Sequence, residues 1–161
     1  MPVYEEKSAS AQFADAYIER CSKETETMIA NESSSFLNQP ISYLKKHKNE
    51  FIYLESVLFE PIGVEGVSLE IDDVFGTYDV MLGLKLQKKY EMKLKEQLTS
   101  LLTGDNSKFD LLFSHEDGLW DLNFALNGMD GFHEEISIAE AFQMIHLFLA
   151  KLVTNVKDQT S

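Results

Sequence analysis

Residues 109–126 read FDLLFSHEDGLWDLNFAL, and their alternation decides the fold class. Phe109, Leu111 and Phe113 fall on one face. Trp120, Leu122, Phe124 and Leu126 share another, opposite Asp121 and Asn123. A strand with one side buried and the other wet imposes this period of two. His115-Glu116-Asp117-Gly118 supplies turn chemistry between the two runs. The stretch reads as a β-hairpin.

The same pattern continues upstream. Val67, Leu69 and Ile71 alternate with Ser68, Glu70 and Asp72; the chain turns through Asp73 to Gly76, and Tyr78, Val80 and Leu82 again share a face. Phe51 to Phe59 is a dense apolar run ending at the turn Glu60-Pro61-Ile62-Gly63. That run reads as a strand or as a buried helix; as a strand it completes a three-stranded meander. Leu84–Thr103 predicts a helix with Tyr90, Leu94, Leu98, Leu101 and Leu102 in one stripe and Gly104 as its stop. Beyond the hairpin, Asn127 to Gly131 is a loop, and Ser137 with Glu140 three residues on is a capping box. The last helix carries Ile138, Phe142, Ile145, Leu149 and Leu152. Ala141, Met144, Leu147 and Phe148 widen its apolar stripe well past the roughly 100° that packing on a sheet requires. The excess is covered by the N-terminal helix or serves a subunit or partner surface.

At the N-terminus, Phe13, Tyr17, Cys21 and Met28 follow helical spacing, with Asp15, Glu19, Lys23 and Glu26 opposite, so residues 8–31 predict a helix. Residues 31–39, NESSSFLNQ, read as a polar linker, and Pro40 opens a short helix running to Lys48. The expected class is α+β. An antiparallel sheet, made of the three-stranded meander plus the hairpin, packs with helices in the order α(α)-βββ-α-ββ-α. Residues 1–39 form a helix and linker appended to a single domain over 40–154, and 155–161 form a disordered tail.

With 161 residues and 44% hydrophobic side chains, the chain is long enough for one well-filled core. Its net charge of −13 opposes binding to the nucleic-acid backbone and to anionic membranes. The start, MPVYEEKSAS, has acids where a secretory signal carries bases. The most apolar stretch, Ala141 to Val153, falls short of the roughly 20 residues that cross a bilayer. The expected location is the cytoplasm. Cys21 is the only cysteine, which excludes an intrachain disulfide and suits a small buried hydrophobe.

No motif writes a reaction. Phosphate-binding glycine loops and the G-x-S-x-G nucleophile turn are absent, and His133-Glu134-Glu135 lacks the second histidine of a zinc helix because position 137 is Ser. The loop from Asn123 to Glu134 lacks the early carboxylates of a calcium site. No enzyme, cofactor or metal is expected. The distribution of charge says more. From Asn49 to Leu84 there are eight acids (Glu50, Glu55, Glu60, Glu65, Glu70, Asp72, Asp73 and Asp79) and no Lys or Arg. Phe109 to Ala150 again holds only acids among its charged residues. Lys85, Lys88, Lys89, Lys93 and Lys95 gather on the middle helix.

In element order, size and acidity, residues 8–154 resemble the class I type III secretion chaperones. The resemblance is most concrete where LKEQLTSLL leads into the hairpin and then to SIAEAFQMIHLFLAKLV. It implies a homodimer that holds an extended partner segment on apolar grooves without catalysis, with the middle helix helping to form the seam. The long N-terminal stretch and the five lysines depart from that pattern. Tyr90, Leu94, Leu98, Leu101, Met144 and Phe148 are the expected partner or dimer surface. Glu65, Glu70, Asp72 and Asp121 are the expected acids that steer a protein partner, an extended or basic segment. The competing expectation is an acidic inhibitor or immunity-type protein that blocks a basic site on a toxin or nuclease. No nucleic-acid or membrane partner is expected.

Overall fold

The computed structural model describes residues 9–158. Seven strands form one antiparallel sheet: β1 Tyr17–Ser22, β2 Met28–Glu32, β3 Glu50–Glu55, β4 Val64–Ile71, β5 Tyr78–Leu84, β6 Phe109–Ser114 and β7 Leu119–Ala125. Their order across the sheet is β2-β1-β3-β4-β5-β7-β6. Among the described residues four α-helices accompany it: α1 Ala9–Gln12, α2 Tyr43–Lys46, α3 Glu91–Leu101 and α4 Ile138–Asp158. The class is α+β, and the meander β3-β4-β5 and the hairpin β6-β7 stand where the alternation places them.

One face of the sheet makes the core. The register lines up Ile18, Leu54, Val67, Leu82, Leu122 and Leu111 in one row from β1 to β6. Ile52, Leu69, Val80 and Phe124 sit in the next row. All eight of these side chains on β3, β4, β5 and β7 are buried. Against them packs α4, whose buried set runs from Ile138 to Val156. Its start is the expected capping box: the Ser137 N–H donates to Glu140 Oε1 at 2.8 Å and the Glu140 N–H to Ser137 Oγ at 3.0 Å. Phe13, just after α1, packs 6.3 Å edge-on to Phe142 of α4 and 6.4 Å from Phe59, while Leu147 of the widened stripe stays 60% exposed.

The N-terminal helix over 8–31 is overturned. Among its described residues, 9–31, only Ala9–Gln12 is helical, and Tyr17–Glu32 is a hairpin. Its strand β1 pairs along six residues with β3, so the sheet runs across the expected boundary at 39/40. The polar linker is not free either, since Phe36 and Leu37 in its short 3-10 turn are buried. The run 51–59 is resolved as strand β3 followed by a turn, with Gly63 at φ 91°. The middle helix is shorter than its stripe suggests, because Leu84 ends β5 and Lys88–Tyr90 is a 3-10 turn. Lys85, Lys88 and Lys89 therefore precede α3. At the other end α4 continues through Asp158 into the expected tail, and 159–161 lie outside the described residues.

Candidate functional site

The sheet has a second face, and among the described residues no helix is laid on it. Alternation sends every other side chain there. One row reads Glu19, Tyr53, Ser68, Met81, Asn123 and Asp110 across neighbouring strands; the next reads Cys21, Phe51, Glu70, Asp79 and Ala125. A third ends in Gly83, Asp121 and Leu112. Acids recur in each row with short polar and apolar side chains between them. Lys23, from the β1–β2 turn, answers some of this charge at one edge, 3.6 Å from Glu70 and 3.8 Å from Asp73.

At one end of this face the β4–β5 turn and the α3–β6 connection enclose a cleft of about 690 Å³. Asp72, Asp79, Asp105 and Asp110 line it, together with Phe75, Met81 and Lys108. Asp72 builds its rim, because its Oδ1 accepts the N–H groups of Val74 at 2.8 Å and Phe75 at 2.7 Å. Those two bonds hold the Asp72 carboxyl below the usual carboxylate range. The turn they fix presents Val74 and Phe75 to solvent, 81% and 82% exposed. Asp79 behaves oppositely. Burial pushes its carboxyl up against the pull of the Thr77 hydroxyl 2.9 Å away, and Asp72 and Glu70 add to the rise.

No family model, no curated protein and no solved structure matches this chain. The site is read from its geometry.

Of the expected steering acids, Glu65 and Asp121 are exposed and Asp72 rims the cleft, while Glu70 is partly answered by Lys23. The expected apolar surface does not exist as a surface. Leu94, Leu98 and Phe148 are buried in the chain's own core, and Tyr90, Leu101 and Met144 are half-buried against it. A helix stripe reads the same whether its own chain or another subunit covers it, and here its own chain does, with α3 lying against α4. Asp79, Asp110, Phe75 and Lys108 were not singled out from the sequence. The first two were detectable as the odd members of alternating runs, Asp79 between Tyr78 and Val80 and Asp110 between Phe109 and Leu111.

The remaining candidates are structural. Glu134 accepts from Lys45 at 2.5 Å and from the Tyr78 hydroxyl at 3.1 Å, and the lysine holds its carboxyl low. Cys21 is buried, and burial with the Glu19 carboxylate pushes its thiol up to about 11. A thiol so protonated is a poor nucleophile. His146 Nε2 lies 3.1 Å from the Leu58 carbonyl oxygen, which accepts from it. Among the described residues no helix is long and apolar enough to cross a membrane.

Proposed function

We propose that this chain is a non-enzymatic, acidic protein-binding module of the cytoplasm. In this reading it works as a homodimer and holds an extended, basic segment of a protein partner on its open sheet face. The observation that carries the reading is the set of carboxylates on that face, Glu19, Glu70, Asp79, Asp110 and Asp121, interleaved with Tyr53, Met81 and Leu112. Lysine and arginine side chains carry an apolar stem and a charged head, and such a surface matches both parts. The element order after residue 40 supports the likeness to secretion chaperones. The second reading, an inhibitor or immunity-type protein on a basic site of a toxin or nuclease, is favoured by the burial of Leu94, Leu98 and Phe148. That burial removes the helix-side groove an apolar chaperone would use.

The test is fluorescence anisotropy of an unstructured Arg/Lys-rich peptide, run beside a folded basic protein and at two salt concentrations. A triple variant, Asp79→Asn with Asp110→Asn and Asp121→Asn, should lose peptide binding. A variant with three helix acids changed (Glu91→Gln, Glu96→Gln and Glu140→Gln) should keep it, although its net charge is the same. Equal loss in both variants would reduce the effect to net charge and sink the reading. Binding of the folded protein but not the peptide would move the inhibitor reading to the front.

A further inference from the structure

The sheet stops at β6, and that strand has no bulge, proline or lysine and a single charge, Asp110, to guard its edge. Open edges are ordinarily protected by bulges, prolines, lysines or inward-pointing charges. The opposite edge follows that rule, since the pairing of β1 with β2 is broken by a bulge at Arg20/Cys21. In contrast β6 pairs with β7 through six consecutive residues without a shift. Its sequence is FDLLFS, and its outward Leu112 is 69% exposed.

We infer that β6 pairs antiparallel with β6 of a second copy, about a twofold axis through Leu112. This rests on the homodimer in the reading above and moves its seam from the middle helix to the sheet edge. The buried α3 side chains Leu94 and Leu98 are unavailable for a seam. Directly opposite residues share a face, so outward Asp110, Leu112 and Ser114 must meet one another. An axis through Asp110 sets that carboxylate against its own copy, which is unfavourable. An axis through Leu111 sets Asp110 against the exposed leucine. An axis through Leu112 avoids both: leucine meets leucine and Asp110 meets the partner's Ser114. Lys108, the one Lys or Arg between Lys95 and Lys151, then comes opposite the partner turn that carries Glu116. Because the axis stands perpendicular to the sheet, both acidic faces lie on the same side and merge into one surface of double width.

Two experiments on the full chain decide it. Leu112→Cys is exposed to oxidised glutathione and run on a non-reducing gel. Opposed residues of a non-hydrogen-bonded pair stand about 4.5 Å apart between Cα atoms, within disulfide reach. The variant should cross-link to a dimer, while Leu147→Cys, exposed on α4, should not. Light scattering after size exclusion then follows charge swaps. Lys108→Glu and Glu116→Lys should each weaken the dimer about tenfold, from two symmetric contacts, and together restore it. A dimer that persists without a Leu112→Cys cross-link overturns the β6 seam and leaves the homodimer standing. A monomer at every concentration overturns both.

Discussion

Arg20 Nη1 and Glu50 Oε2 lie 3.0 Å apart on neighbouring strands, at the end of the sheet face that packs the core. Arg20 also reaches Glu32 through Nε at 2.7 Å, and the Tyr43 hydroxyl donates to Glu50 Oε1 at 2.8 Å. These partners hold the guanidinium charge still more firmly than usual. Among the described residues Glu50 is the buried charged one, and its cost is met only while both bonds stand. Glu50→Ala should therefore lower unfolding free energy by about 2–3 kcal/mol, discounted because Arg20 keeps Glu32 and some solvent. Urea unfolding measures it. A loss under about 0.5 kcal/mol would mean the pair contributes no more than a surface bridge.

That cluster also explains where the sequence misleads. In β1 the inward positions are Ile18, Arg20 and Ser22, so only one of three is apolar and the period of two is hidden. Phe13, Tyr17 and Cys21 then fall at intervals of four by accident. The turn gives no warning, because its left-handed residue is Glu26 at φ 59° and not Gly or Asn. From β4 to β7 the inward positions are filled by large apolar residues, and the alternation reads through directly. The acidic face was legible as composition. Its cleft was not, since the cleft depends on two connections meeting in space, residues 72–77 and 104–108.

The capping box at the start of α4 was readable, and its two reciprocal bonds make a second prediction. Ser137→Ala should cost about 1 kcal/mol, and Glu140→Ala somewhat less. Each bond is donated by a backbone N–H that either substitution keeps, so the double variant should lose about the two single losses added together. A double loss well short of that sum in thermal or urea melts would show that the two bonds support each other.

Leu98 offers a direct contrast between core and seam. It is fully buried on α3 within the same chain. Leu98→Ala should destabilise the fold by about 2–5 kcal/mol through lost contacts and a residual cavity. Under conditions where the variant remains folded, its oligomeric state in light scattering should match that of the unaltered chain. A change of oligomeric state with little loss of stability would return the seam to the middle helix.

Asp79 carries the last prediction, in which stability and binding move oppositely. Burial, then Asp72 and Glu70, raise its carboxyl pKa, while Thr77 and Lys23 pull the other way. A raised pKa means the folded state holds this proton to higher pH than the unfolded chain does. Stability therefore falls as pH climbs through that window, and the penalty is complete above it. Asp79→Asn removes the penalty and keeps a side chain of the same shape. The variant should melt about 1–3 °C higher at pH 7. The gain should fade as pH falls toward the unfolded carboxyl's value of about 3.9, below which both states are protonated. The same substitution should weaken binding of the Arg/Lys-rich peptide. If Asp79→Asn melts lower at pH 7, the Thr77 bond outweighs burial and the carboxylate is a structural part of β5.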